Sequence, residues 1–268
     1  MTESHFAVTG VATGIGAELA RQLIASGARV TGFDIAPPAH ADYPCHRIDL
    51  ADLGSIESTV AACSGAFDGL CNNAGLSPKP GRELAILQVN FFAQRAFTRA
   101  MLPKLRPGAA IVNMASRAGA RWRDHIEQIK RLSAIDPTKD LARFIRDEGI
   151  DMTRAYNLSK EALIVWTLAE AEALTARNLR MNALCPAAVA TGLLDDFAKA
   201  FGEPMAKNIA RAGRPGQPEE IAAIAAFLLF PASNWLRGAE ISPDGGMAAF
   251  ATSDALDLAG LRLDPVAA

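Results

Sequence analysis

Thr9-Gly10-Val11-Ala12-Thr13-Gly14-Ile15-Gly16 is the stretch on which the fold turns. A short apolar run at 6–9 precedes it, and a helix-length segment at 15–26 follows. Glycines at the end of a strand let the chain turn sharply into a helix. The free N–H groups and dipole of that helix then favour a pyrophosphate. The spacing is GxxxGxG, and standing alone it is equally a tight strand-to-helix turn.

Outward from this turn, the same alternation repeats. Apolar runs at 6–9, 29–33, 45–48, 69–72, 109–114, 180–184 and 239–242 predict strands. Segments 15–26, 55–63, 83–105, 155–176 and 219–230 predict helices. Strand–helix alternation means a parallel sheet with helices on both faces, and strands buried on two faces are nearly all apolar. The expected fold is α/β: a single-domain Rossmann-type doubly wound parallel sheet of about seven strands, spanning 1–268. Residues 117–154 stand where a short loop belongs, and a structureless loop of that length is improbable. Ile126, Ile129 and Leu132 predict one helix over 125–135. Asp136 as N-cap, Pro137 as first helical residue, and Leu141, Phe144 and Ile145 predict a second, ending at Gly149. The two form a helical insert, a flap over the sheet edge. Residues 248–268 form a tail whose apolar residues cover either a neighbour or the pocket.

Composition narrows the function classes. The 268 residues are 50% hydrophobic and 21% charged, with a net charge of −2. No basic surplus exists for nucleic acid or for an acidic membrane. The longest apolar run, 221–232, has 12 residues, where a membrane span needs about 18. The first residues predict no signal peptide. Cys45, Cys63, Cys71 and Cys185 form no CxxC pair, so neither a metal site nor a disulfide framework is expected, and the expected location is the cytoplasm.

Asp34 closes the second strand, 18 residues after Gly16. An acid there accepts hydrogen bonds from the adenosine ribose hydroxyls and repels a 2′-phosphate. Its neighbours Thr13 and Ile35 are not basic, so NAD is expected over NADP. Asp49 after the third strand either touches adenine or caps a helix. Asn73-Ala74-Gly75 after the fourth strand is either a cofactor approach or a turn.

Tyr156 and Lys160 are four apart and share a helix face. An ammonium about 4 Å from a phenol, at an effective dielectric near 20, is worth on the order of 4 kcal/mol. That equals roughly three pKa units, enough to bring the phenol into a working range. Ser116 falls just past the fifth strand, where a hydroxyl can donate to a carbonyl oxygen as charge builds on it. Asn90, inside a helical pattern, either holds a water or is a satisfied core group.

Together, Thr9–Gly16, Asn72–Gly75, Asn90, Ser116, the Tyr156/Lys160 pair and Pro243–Gly246 resemble the short-chain dehydrogenases/reductases over residues 5–247. The resemblance implies an NAD(P)-dependent oxidoreductase. Tyr156 would exchange the proton, Ser116 steady the substrate oxygen, Lys160 hold the nicotinamide ribose and lower the tyrosine pKa, and Asn90 order a relay water. It also implies cofactor contacts from Gly10, Thr13, Gly14, Ile15, Gly16, Asp34, Asp49, Leu50, Asn73, Ala74, Gly75, Pro186, Val189 and Thr191. Where the family carries Pro-Gly after the sixth strand, this chain has Pro186-Ala187, whose alanine restricts the backbone.

The insert points to the subgroup that contains bacterial 3α-hydroxysteroid dehydrogenase/carbonyl reductase and coniferyl-alcohol dehydrogenase. A hydrophobic alcohol and its ketone or aldehyde would then be the reactants, with a coniferyl-type aryl alcohol as the alternative. A silent NAD-binding regulator is a further alternative. Trp122, Leu193, Leu194, Phe197 and Phe201 would contact such a substrate, or else form core or interface. A homodimer or homotetramer is expected, with neither nucleic acid nor membrane as partner.

Overall fold

In the computed structural model, residues 3–38 and 40–261 are described. Seven parallel strands form one sheet: β1 (His5–Thr9), β2 (Arg29–Asp34), β3 (Cys45–Arg47), β4 (Phe67–Asn72), β5 (Leu105–Met114), β6 (Arg180–Leu184) and β7 (Glu240–Ile241). Their order is β3-β2-β1-β4-β5-β6-β7. The winding reverses between β1 and β4, so a crevice opens beyond the carboxyl ends of the central strands. The helices are α1 (Gly14–Ala25), α2 (Leu53–Ala62), α3 (Glu83–Leu87), α4 (Ala93–Met101), α5 (Ile126–Ala134), α6 (Leu141–Asp147), α7 (Met152–Ala169), α8 (Ala171–Ala176), α9 (Leu194–Ala212), α10 (Pro218–Leu229) and α11 (Met247–Ala255).

Period-two alternation divides the core. Phe6 and Val8 face α1 and α10, packing with Leu19, Leu23, Ile221 and Leu228. Ala7 between them faces α2 and α4, with Ile56, Val60, Phe97 and Met101. Each fully buried Leu or Phe contributes about 1.5–3 kcal/mol. A third cluster seats the insert on α7: Ile129, Leu132, Leu141 and Phe144 pack with Leu158 and Ala162.

An ionic cluster reinforces that seat. Glu161, 1% exposed, takes Arg154 at 2.7 Å and His125 at 2.8 Å. Gln128 Oε1 accepts from Arg154 Nη2 at 2.7 Å.

Several elements differ from expectation. The helix expected over 83–105 is α3, a π-helical turn at Gln88–Phe92, then α4 and a 3₁₀ turn at Leu102–Lys104. The helix expected over 155–176 starts at Met152, capped by Asp151, and breaks between α7 and α8 at Glu170. In the insert, Asp136 and Pro137 do not begin a helix. The Asp136 side chain accepts from Thr138 N and Oγ1 and closes a local turn, and α6 begins only at Leu141. Asp136 thus caps a single turn, closed by Asp140 N on Asp136 O at 2.8 Å, that ends before α6. β5 begins at Leu105, four residues ahead of 109, with a register irregularity between Phe67 and Gly69 of β4. Met247, just ahead of the tail, reaches the crevice, whereas Leu256 and Leu261 of the tail are exposed. Tail residues 262–268 lie outside the described residues.

Candidate active site

The crevice is a cavity of about 880 Å³. It runs from the ends of β2 and β3, past the glycine turn, to the ends of β5 and β6 and under α9. Asp34, Asp49 and Leu50 line it at the first end. Asp34 Oδ2 accepts from Ala12 N at 2.9 Å and Oδ1 from Ala36 N at 3.0 Å. The acid therefore also pins the glycine turn to β2. Asp49 Oδ1 accepts from Ala51 N at 2.8 Å and closes a local turn, while the cap of α2 is Asp52, which accepts from Gly54 N.

The turn forms a cradle. Gly10, Thr13, Gly14 and Ile15 line the cavity. Gly10 has φ +72°, and a Cβ there would stand 2.8 Å from Ala74 Cα. Only glycine fits both the backbone and the space. Gly16 lies behind the wall, where a Cβ would overlap Gly10 O and Asn73 Nδ2, so its role is close packing of helix on turn. Thr13 makes no side-chain cap, and α1 carries no acid in its first turn. Its leading N–H groups thus suit an anion such as a pyrophosphate. Asn73 ties the opposite rim down, donating from Nδ2 to Thr9 O at 3.0 Å and Gly10 O at 3.1 Å. Asn73, Ala74 and Gly75 all face the cavity.

Ser116, Tyr156 and Lys160 meet on one wall. Lys160 Nζ donates to Met114 O at 2.8 Å and lies 5.7 Å from the Tyr156 ring centre. Burial pulls this ammonium down to about 8. Burial likewise pushes the Tyr156 phenol up to about 12, against the pull of a hydrogen bond with Ser116. This corrects the sequence-based electrostatics. The ammonium turns toward a carbonyl, and burial moves the phenol opposite to the expected direction. α9 contributes to the burial of Tyr156, its Phe197 and Phe201 rings lying 5.2 Å and 6.2 Å from the Tyr156 ring.

Asn90 sits in the π turn, fully buried and outside the cavity lining. Its Oδ1 accepts from Leu76 N at 2.7 Å, and its Nδ2 donates to Leu76 O at 3.0 Å. A longer contact of 3.4 Å reaches Ser159 Oγ, which donates to Tyr156 O. Both polar atoms of Asn90 are thus engaged by protein, and the residue clamps the loop after β4 against α7.

Pro186, Val189 and Thr191 line the far side with Ala187. The only non-glycine residues with positive φ among those described are Asn178 and Asp257, so alanine at 187 imposes no strain there. Leu193 and Phe197 face the cavity, but Trp122 and Leu194 do not. Trp122 packs beside Leu163 and Ile164 and donates from Nε1 to Glu240 at 3.2 Å. Leu194 opens α9, about a third of a turn round from Leu193.

Sequence reasoning left 190–212 undetermined and so missed Met205 of α9 and, beyond it, Met247. The signal for α9 was there: Phe197, Phe201 and Met205 recur every four residues. It also missed a latch. Asp196 of α9 accepts from Ser77 Oγ at 2.7 Å and pairs with Lys79 at 2.9 Å, tying α9 to the loop after β4. Arg117, beside Ser116, also lines the cavity.

Comparison with known proteins bears on this geometry. A family model described as short chain dehydrogenase matches residues 4–127. A second, described as enoyl-(acyl carrier protein) reductase, matches 141–248. The gap between them falls in the insert. Coniferyl-alcohol dehydrogenase of Pseudomonas sp. is 33% identical over 250 residues, covering 92% of this chain and 98% of that protein. The 3-alpha-hydroxysteroid dehydrogenase/carbonyl reductase of Comamonas testosteroni is 32% identical over 259 residues, covering 91% and 96%. Among solved structures, the 3-alpha-hydroxysteroid dehydrogenase of Pseudomonas sp. B-0831 complexed with NADH superposes with a TM-score of 0.81. It is 30% identical, with 93% of this chain and 99% of that one covered.

Proposed function

The chain belongs to the short-chain dehydrogenase family, and from that premise we propose that it is an NAD-dependent oxidoreductase interconverting a hydrophobic alcohol and its ketone or aldehyde. The observation that carries this reading is a single cavity with an anion cradle at α1 and Ser116, Tyr156 and Lys160 on one wall. Its relatives named for coniferyl alcohol and for hydroxysteroids support a hydrophobic reactant.

The cradle fits a nicotinamide dinucleotide. Asp34 and Asp49 would take the adenosine end, the first turn of α1 and Thr191 the phosphates, and Lys160 the nicotinamide ribose. Bound there, the nicotinamide ring supplies hydride donation and acceptance. Asp34 favours NAD, since a 2′-phosphate beside its carboxylate meets like charge.

Ser116 donates to the reacting oxygen as negative charge develops on it. Tyr156 gives that oxygen a proton during reduction and takes one during oxidation. Its phenol is protonated at neutral pH, which suits the reductive step directly. For oxidation, the positive charge of Lys160 and of the oxidised ring must offset the burial that holds the proton on. Phe197 and Phe201 exclude water and strengthen these interactions. Asn90 and Asn73 hold the loop after β4 in place.

The test is an initial-rate assay with NAD and NADP across steroid alcohols, coniferyl-type alcohols and simple aromatic secondary alcohols. Turnover of at least one class, with NAD favoured at least tenfold in kcat/KM, is expected. Preference for NADP removes the role given to Asp34. Silence across all classes, with NAD still binding by calorimetry, removes the hydrophobic-alcohol reading.

A further inference from the structure

Four charged residues line the cavity among the described residues, and they segregate. Asp34 and Asp49 stand at the β2–β3 end, and Lys160 and Arg117 at the reacting end. Lys160 is accounted for above. Arg117 is not, although it directly follows Ser116.

Its geometry is specific. Arg117 N donates to Pro186 O at 2.9 Å, which fixes the backbone. Arg117 Nε lies 3.3 Å from Asp244 Oδ2. Asp244 is itself immobilised, for its Oδ1 accepts from Gly246 N and its Oδ2 from Ala248 N, each at 3.0 Å. Asp244 therefore ion-pairs with the guanidinium at its Nε side. Among the described residues no hydrogen bond engages its two terminal nitrogens, and the side chain is 29% exposed.

The wall that continues from it is apolar: Leu193, Phe197, Phe201, Met205 and Met247. A ligand that is apolar throughout would strip water from the terminal N–H groups and return no acceptor, which is costly. A planar carboxylate accepts from both terminal nitrogens at once. Lys160, and the positive ring of the oxidised cofactor, add to the attraction for an anion.

Resting on the oxidoreductase reading above, we propose that the substrate is an alcohol or ketone whose apolar body carries a carboxylate, and that Arg117 binds that carboxylate end-on.

The probes are 4-(1-hydroxyethyl)benzoate and its methyl ester, which share a reacting hydroxyl and differ in charge. Holoenzyme with wild-type sequence, Arg117→Met and Arg117→Lys is assayed for kcat/KM with each. The acid-over-ester ratio should exceed one in wild type and fall about 10- to 100-fold in Arg117→Met, with Arg117→Lys between them. Equilibrium titration of both probes into the NAD complex gives the same ratio without turnover. Equal loss for acid and ester overturns the proposal. So does an unchanged ratio accompanied by weaker NAD binding, which would make Arg117 a cofactor contact. Should neither probe turn over, the reaction assigned above is at fault for this substrate class. The titration ratio still decides Arg117, because an Arg117-dependent preference for the acid upholds it and equal binding sinks it.

Discussion

Lys160 shows what a buried ammonium costs the fold. Its ammonium, ordinarily near 10.5, is drawn down to about 8 by burial. The folded state therefore holds fewer protons than the unfolded chain between those values. The resulting destabilisation is full below about pH 8 and is relieved as pH rises toward 10.5. At about 1.4 kcal/mol per unit the penalty is roughly 3 kcal/mol. Losing the hydrogen bond to Met114 O returns about 1 kcal/mol. Lys160→Met should therefore stabilise the ligand-free protein by about 1–2 kcal/mol at pH 7, raising Tm by a few degrees while activity is lost. Calorimetric melting at pH 7, 8, 9 and 10 checks this. A Tm gain that shrinks above pH 8 is expected, and a variant that melts lower at pH 7 contradicts it.

At this same scale the sequence was most legible. Glycines at 10 and 16, an acid at 34 and a Tyr/Lys pair at 156 and 160 are short-range requirements of chemistry, and they survive as patterns. The direction in which Lys160 points is not such a requirement, since it depends on where β5 presents the Met114 carbonyl. Arg117 was illegible for a similar reason: its anchor, Asp244, is brought beside it only by the assembled sheet.

Among elements, α9 governs access. Gly202, with φ +54° and ψ −138°, interrupts its helical backbone, and the latch of Asp196 to Ser77 and Lys79 holds its first turn over the crevice. Asp196→Ala should raise the KM for the alcohol about 3- to 10-fold, the range expected for removing one charge-assisted bond. The NAD dissociation constant should stay within about twofold. Steady-state kinetics with calorimetry of NAD binding separates the two. An unchanged KM would mean that α9 is held by Phe197 and Phe201 alone.

The elements that sequence periodicity missed are those whose geometry is set from outside. A helix pattern over 83–105 cannot reveal a π turn. The turn occurs where Asn90 bonds both backbone groups of Leu76, a partner outside the helix. In the insert, Asp136 caps only an isolated turn, and the second helix begins at Leu141. By contrast, the insert's apolar positions Ile129, Leu132, Leu141 and Phe144 were legible and do pack on α7.

For the molecule as a whole, the strand order β3-β2-β1-β4-β5-β6-β7 is what makes one site out of distant segments. The glycine turn leaves β1, Ser116 follows β5, and Pro186 follows β6, all at carboxyl ends. α7 runs beside them with Tyr156 and Lys160. Apolar strand runs alternating with helices were enough to predict a doubly wound sheet with site residues just past its strand ends, but the shape of the crevice's outer half depends on how α9 and Met247 sit over it. Among the described residues no helix is long and apolar enough to cross a membrane.

The central claim is that this crevice passes a proton through Tyr156 while hydride moves to or from a bound nicotinamide. Tyr156→Phe tests it most directly, because the ring and its packing on Phe197 are retained and only the hydroxyl is removed. With an alcohol turned over by the wild-type protein, kcat should fall by about 10²–10⁴-fold, the usual worth of a positioned acid–base group. NAD affinity by calorimetry should change little. Unchanged turnover in that variant would contradict the account.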